Sequence, residues 1–90
     1  MNNLRYSYEI SKLLERELDK LQKKNKKRFE IILKKMNEIL DDPHHYKPLQ
    51  HDMKRLRRVH IDKSFVLVFE IIEGENKVIF LDFDHHDNIY

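Results

Sequence analysis

Histidine is the residue type with the clearest catalytic potential in this chain, which holds six histidines among 90 residues. Imidazole changes its charge near neutral pH, so it can take up or release a proton during a reaction. Taken alone, any one histidine is more often a solvated surface residue. An antiparallel sheet, however, can bring His60 and His86 to one edge, where they would act together. The other four are His44, His45, His51 and His85.

Cationic side chains precede His60 in the segment Lys54-Arg-Leu-Arg-Arg-Val-His60. On a strand such side chains are held in fixed directions, so several of them can bind phosphate groups together. The alternative is a charged edge strand that discourages aggregation. A second cluster of cations extends from Lys23 to Arg28 and is typical of a solvated turn between two helices. Alternatively, it could attract a polyanion over a long distance.

These residue types can cleave RNA without a metal or a cofactor. A base activates the ribose 2′-hydroxyl, cations stabilise the charge that develops on the phosphate, and an acid protonates the leaving 5′-oxygen. Two histidines and neighbouring arginines suffice for these roles. Tyr90 can stack on a base or orient the scissile phosphate, or else pack against the sheet.

A metal-dependent nuclease is the competing chemistry near the C-terminal end. Residues 84–87 read Asp-His-His-Asp, but neighbours on a strand point to opposite faces, so only alternate members such as Asp84 and His86 could share an ion. The chain has neither the HExxH spacing nor the EF-hand spacing. We therefore predict neither a metal site nor another cofactor.

The pattern of apolar residues predicts the elements that position these side chains. Alternation over residues 4–10 indicates a strand, and Ser11 can cap a helix that ends near Lys24. Asn25 is the expected turn before a second helix that ends near Leu40, with one unbroken helix as the alternative. The other expected strands are Met53–Ile61, with a bulge between Leu56 and Val59, Phe65–Ile72 and Lys77–Phe83.

The order β-α-α-β-β-β predicts an α+β fold in which an N-terminal helical hairpin covers one face of an antiparallel sheet. A chain of this length supports one domain, which spans residues 1–90. The absence of cysteine suits a reducing compartment, and no segment is apolar and long enough for a signal peptide or a membrane span. We therefore expect a cytoplasmic protein that does not bind a membrane.

At these residues the sequence resembles the RelE/ParE toxin superfamily, whose members have a strand, a helical hairpin and an antiparallel sheet, and end in an aromatic residue. The ending Phe83-Asp-His-His-Asp-Asn-Ile-Tyr90 is similar to that motif. Residues 48–69 are similar to the histidine-using YafQ-type ribonucleases, which have one histidine before the central strand and another near the C-terminus. By position these histidines are His60 and His86.

The sequence departs from its relatives at four positions. Val66 stands where RelE has an arginine, and His86 stands where many members have another, so arginine-based catalysis is not expected. Lys47 and Ser64 stand where the YafQ-type pattern has a histidine and an aspartate. Asp62 is an alternative source of that carboxylate.

The resemblance implies the toxin of a type II toxin–antitoxin system: an endoribonuclease that cleaves messenger RNA on the ribosome, inhibits translation and is neutralised by a cognate antitoxin protein. We expect His60 and His86 to share the acid–base roles, with either one as the acid, and Tyr90 to position the substrate. Arg58, together with Arg57 and Lys54, binds phosphate or stabilises the transition state. The expected RNA-binding residues are Lys47, Lys54, Arg55, Arg57 and Lys63. Three alternatives remain: a ParE-like toxin that inhibits DNA gyrase, a catalytically weak antitoxin-binding partner, and the metal-dependent nuclease.

Overall fold

Two α-helices and four β-strands make up residues 5–49 and 55–85, the part of the chain that this computed structural model describes. Their bounds are β1 Ser7–Ile10, α1 Lys12–Lys24, α2 Lys26–Asp41, β2 Leu56–Ile61, β3 Phe65–Ile72 and β4 Lys77–His85, with a short 3₁₀ turn at Pro43–His45. The predicted α+β class and element order are confirmed. Neither helix in these described ranges is long and apolar enough to span a membrane.

Both helices begin where a side chain replaces a missing backbone hydrogen bond. Ser11 Oγ accepts a hydrogen bond from the Leu14 N–H at 3.1 Å and caps α1. Asn25 Oδ1 accepts one from the Arg28 N–H at 3.0 Å and caps α2. Each such cap stabilises a helix by about 1 kcal/mol. Asn25 therefore ends one helix and begins the next, and the break predicted at this residue is confirmed.

The sheet has the strand order β1-β4-β3-β2 and is mixed. Strands β2, β3 and β4 pair antiparallel, whereas β1 runs parallel to β4, with Ser7 opposite Lys77. The sheet thus differs from the wholly antiparallel one expected from the sequence. Parallel neighbours require a long connection, and the two helices with β2 and β3 supply it between β1 and β4.

Alternation along β3 separates the two faces of the sheet. Leu67, Phe69 and Ile71 belong to the hydrophobic core, and we call their side the helix face. Val66 and Val68 are also buried but project from the other side and lie outside that core; we call this side the opposite face. The helices contribute to the core Leu14, Leu18, Ile32, Met36, Ile39 and Leu40.

Strand β2 pairs with β3 without interruption along all six of its residues. The bulge expected between Leu56 and Val59 is therefore wrong; the register shift lies between β3 and β4, at Val68 and Phe69. The alternation of apolar and charged residues is irregular between Leu56 and Val59 for another reason. Leu56 is an apolar residue on the opposite face, and Arg57 is a charged residue on the helix face.

Candidate active site

Arg58 and His60 lie two residues apart on β2, so their side chains project from the same side of the sheet, the opposite face. Both residues are exposed. On β3 they stand across from Val68 and Val66, respectively. Both valines are buried, so the exposed side chains of Arg58 and His60 stand beside apolar residues of the sheet. The arrangement places a guanidinium, which binds phosphate, next to an imidazole, which can transfer a proton.

Each of these cross-strand pairs continues onto β4. Val68, opposite Arg58, also pairs with Asp82, and Val66, opposite His60, also pairs with Asp84. Two interstrand spacings, roughly 10 Å in total, separate the basic residues of β2 from these aspartates. The sheet therefore carries positive charge along β2 and negative charge along β4. A phosphate group would be attracted to the β2 side of the opposite face.

The two aspartates are held at the outer edge of β4. Asp82 Oδ1 accepts a hydrogen bond from the Phe83 N–H at 2.8 Å, and Asp84 Oδ1 accepts one from the His85 N–H at 2.7 Å. Both N–H groups lie beyond the last residue that pairs with β1. The carboxylates thus satisfy backbone donors that β1 is too short to reach.

Lys47 lies beside Arg58 at the outer edge of β2. Pro48 forms an antiparallel bridge with Arg57, so in the same register the residue before Pro48 stands next to the residue after Arg57. Lys47 is exposed. The structure therefore brings a third candidate residue to the side of Arg58 and His60.

Arg57 is not brought together with Arg58, because neighbouring residues on a strand project from opposite faces. Its Nη1 donates a hydrogen bond of 2.6 Å to the Tyr46 carbonyl, in a partly buried position on the helix face. Arg55, just before β2, lies with its Nε 3.7 Å from Glu70 Oε2 and remains largely exposed.

Lys63 is exposed in the turn that joins β2 to β3. The preceding Asp62 has a φ of 56°, in the left-handed region that aspartate tolerates better than most residues. Its carboxylate lies 3.1 Å from Arg28 Nε, and the Arg28 guanidinium carbon lies 4.4 Å from the centre of the Phe65 ring. Asp62 is therefore engaged with α2 and is poorly placed to act as the carboxylate of an active site at His60.

The histidines that follow α2 lie at the other end of the sheet. His44 Nε2 is 3.2 Å from Glu73 Oε2, and its Nδ1 is 3.4 Å from the Tyr6 hydroxyl. Glu73 follows the last residue of β3, whereas His60 faces the second residue of that strand. The eight residues of β3 span roughly 25 Å. His44 and the adjacent His45 are thus remote from His60.

Three candidate residues, His86, Tyr90 and Lys54, lie outside the described residues, so their positions stay predictions. The same holds for His51. Within residues 5–49 and 55–85, no group of three or more histidine, aspartate or glutamate side chains is arranged to hold a metal ion. The metal alternative paired Asp84 with His86, and only Asp84 is among the described residues.

A carboxyl group that the sequence did not single out lies at the outer edge of β4. Glu17 of α1 shares a hydrogen bond with Asp82, and its Oε1 accepts one from the Phe83 N–H at 3.4 Å. Burial, that bond to Asp82 and the negative charges of Asp82 and Asp84 raise the pKa of Glu17 to about 7. The alternating aspartates of β4 were visible in the sequence, but nothing indicated that α1 would lie against them.

Comparison with known proteins places this chain in a family. The family model of the ParE toxin of type II toxin–antitoxin systems (parDE) matches residues 8–90. A relative from Methanocaldococcus jannaschii, provisionally named toxin RelE4, is 58% identical over 85 residues, which cover 94% of this chain and 90% of that protein.

Two solved structures have the same fold at low sequence identity. The toxin–antitoxin complex RelBE2 from Mycobacterium tuberculosis contains a chain that matches with a TM-score of 0.77 at 17% identity, covering 93% of this chain and 94% of that chain. The YoeB/ParE toxin from Agrobacterium tumefaciens matches with a TM-score of 0.79 at 13% identity, covering 89% and 98%, respectively.

The fold and the sequence matches together define a toxin of the type II toxin–antitoxin class. The chain belongs to the ParE toxin family, within the RelE/ParE superfamily. The resemblance that the sequence indicated is confirmed at the level of this superfamily.

Proposed function

We propose that this chain is an endoribonuclease that cleaves messenger RNA on the ribosome by metal-free acid–base catalysis and so inhibits translation. One observation carries the proposal: Arg58 and His60 project side by side from the opposite face, with Lys47 next to Arg58. Phosphate binding and proton transfer are the two functions that cleavage at a ribose 2′-hydroxyl requires. Because ribosomes are its site of action, the toxin would work in the cytoplasm.

The residues take distinct roles in this proposal. His60 is one member of the acid–base pair, and His86, by its position in the family motif, is the other. Arg58 neutralises the charge that develops on the phosphate, and Tyr90 positions the substrate. Lysines and an arginine around the site bind the RNA backbone: Lys47, Lys54, Arg55 and Lys63.

Arg57 does not belong to this RNA-binding set. Its guanidinium is directed to the helix face, where it holds the Tyr46 carbonyl. We assign it instead to the attachment of the segment after α2 to the sheet.

A cognate antitoxin is the proposed protein partner. The RelBE2 structure from Mycobacterium tuberculosis is that of a toxin–antitoxin complex, and the chain described here shares its fold. The antitoxin would hold the toxin inactive by covering the opposite face or by displacing residues of the site.

Primer extension on messenger RNA bound to ribosomes tests the proposal. We expect the wild-type protein to produce discrete cuts and the His60→Ala variant to lower the cleavage rate by about 10²-fold or more, the size expected for the loss of one acid–base group. His86→Ala should have a similar effect. His45→Ala is the matched control, because this exposed histidine lies at the other end of the sheet.

Two further outcomes would decide against parts of the mechanism. Cuts that disappear after EDTA treatment of the purified toxin would refute metal-free chemistry. A folded, antitoxin-free wild-type protein that makes no cuts would refute the ribonuclease proposal as a whole.

A further inference from the structure

Four exposed lysines flank the junction of the two helices, and we call them the lysine turn: Lys23, Lys24, Lys26 and Lys27. The first two end α1 and the last two begin α2, on either side of Asn25. Among residues 5–49 and 55–85, none of the four forms an ion pair with a carboxylate. Their charges are thus available to a ligand.

Helix stability does not account for all four lysines. The C-terminus of a helix carries partial negative charge, so Lys23 and Lys24 are favourably placed at the end of α1. The N-terminus of a helix carries partial positive charge, so Lys26 and Lys27 are unfavourably placed at the start of α2. The first turn of α2 has no acidic residue to compensate for them. A role in binding explains cations that weaken the helix in which they lie.

The lysine turn lies at the end of the sheet where His60 is found. Arg28, the next residue along α2, pairs with Asp62 in the turn after β2. Its guanidinium also lies over Phe65, the first residue of β3. His60 is two residues before Asp62, and the exposed Lys63 comes directly after Asp62. These contacts fix the start of α2 beside the β2–β3 turn, so the lysine turn and His60 lie at the same end of the sheet, the lysines on its helix side and His60 on the opposite face.

A groove between α1 and the sheet adjoins the lysine turn at Lys24. Its volume is about 240 Å³, Phe65 and Phe83 contribute apolar surface, and Lys20 and Lys24 also line it. Surfaces that bind single-stranded nucleic acid combine these two elements, aromatic residues that contact bases and cations that contact phosphates. Two carboxyl groups, Glu17 and Asp84, also line the groove. The raised pKa of about 7 reduces the negative charge of Glu17 near neutral pH, and Asp84 lies on the β4 side, away from the lysine turn.

We propose that the lysine turn is a second RNA-backbone surface, at the same end of the sheet as the candidate active site. The inference rests on the proposed ribonuclease function and extends it. The ligand is the phosphate backbone of RNA, supplied either by the single-stranded message or by duplex ribosomal RNA.

The test measures how binding to RNA depends on salt. The probes are a short single-stranded 2′-O-methyl RNA, which lacks the attacking 2′-hydroxyl and so cannot be cut, and a 2′-O-methyl RNA hairpin. The variant Lys24→Gln/Lys26→Gln/Lys27→Gln removes three of the proposed contacts. Each phosphate contact on a single strand contributes about 0.7 to the slope of log K against log salt, so the slope should fall by about 2.

A matched control removes the same number of charges elsewhere on the helices. Lys12→Gln/Arg16→Gln/Lys34→Gln changes three exposed cations, and Lys12 lies about 18 Å from Lys24 along α1. We expect this control to keep the wild-type slope. Circular dichroism on both variants checks the fold, and the lysine-turn variant should be at least as stable as the wild-type protein because α2 loses two unfavourable charges.

The two probes separate the sources of RNA. A reduced slope on the single strand assigns the surface to the message, and a reduced slope on the hairpin alone assigns it to ribosomal RNA. A lysine-turn variant with the slope of the control on both probes would overturn the inference. A wild-type protein that binds these RNAs but cuts no ribosome-bound message would instead refute the proposed ribonuclease function and leave this surface in place.

Discussion

The carboxyl pair of Glu17 and Asp82 makes the stability of this protein depend on pH, and the substitution Glu17→Gln isolates the effect. Glutamine has the shape of the protonated glutamic acid but cannot become charged. Its side-chain oxygen can still accept the hydrogen bond that Glu17 receives from the Phe83 N–H. The variant therefore keeps the contacts of α1 with the edge of β4 and removes only the titration.

The sign of the effect follows from the pKa of Glu17, which is about 7 in the folded protein against an ordinary value of 4.5. Between these values the folded protein retains a proton that the unfolded chain has lost. The contribution of Glu17 to folding stability is therefore largest below about pH 4.5, falls as the pH rises toward 7, and levels off above it. Above pH 7 the charged Glu17 faces Asp82 and Asp84 without its proton.

The magnitude is limited by solvent. A tenfold change in proton affinity corresponds to about 1.4 kcal/mol, so the full difference between 4.5 and about 7 would be about 3 kcal/mol. Glu17 is only partly buried, and water screens its interaction with the aspartates, so we expect about 1 kcal/mol. For a domain of this size, that is about 4–8 °C in Tm.

Thermal unfolding followed by circular dichroism at about pH 5 and pH 8 measures this effect. We expect Glu17→Gln to match the wild-type Tm at pH 5 and to exceed it by about 4–8 °C at pH 8. Glu15→Gln, the same change at an exposed position on the same helix, is the control and should give a constant difference. A Glu17→Gln advantage that does not grow with pH would refute the assignment of a shared proton to this pair.

The remaining predictions concern the two faces of the sheet. Arg58→Ala should reduce cleavage of ribosome-bound message by about 10²-fold or more in the primer-extension assay, with little effect on unfolding in urea. Arg57→Ala should leave the cleavage rate within a few-fold of wild type but lower the free energy of unfolding in urea by about 1.5 kcal/mol, because a partly buried, charge-assisted hydrogen bond to the Tyr46 carbonyl is lost. Equal effects of the two substitutions on cleavage would contradict the assignment of faces. Phe69→Ala should cost about 3–5 kcal/mol in the same unfolding experiment, because this side chain is fully buried in the core.

Much of the fold was predictable because it depends on short-range patterns. The capping side chains of Ser11 and Asn25 and the apolar spacing of the helices are local, and they gave the two helices and the break between them. The pairing of β1 with β4 is not local. It depends on how the helices return the chain over the sheet, and no feature of residues 7–10 indicates a parallel neighbour seventy residues later.

The candidate site was predictable in part for the same reason. Strand alternation is enough to place Arg58 and His60 on one face, and applied strictly it also separates Arg57 from them. The hydrogen bond of Arg57 to the Tyr46 carbonyl and the ion pair of Asp62 with Arg28 could not be read from the sequence. Both depend on the approach of segments that are distant in the chain.

The position of β1 beside β4 has a consequence for how the protein is made. The hydrogen bond from Ser11 Oγ to the Leu81 carbonyl joins residues 70 positions apart, and synthesis at 5–20 residues per second takes about 4–14 s to cover that distance. Until β4 emerges, β1 and the helices lack the strand against which they pack. A toxin with this topology therefore cannot complete its sheet until β4 has been synthesised and has emerged from the ribosome, because β4 lies between β1 and β3.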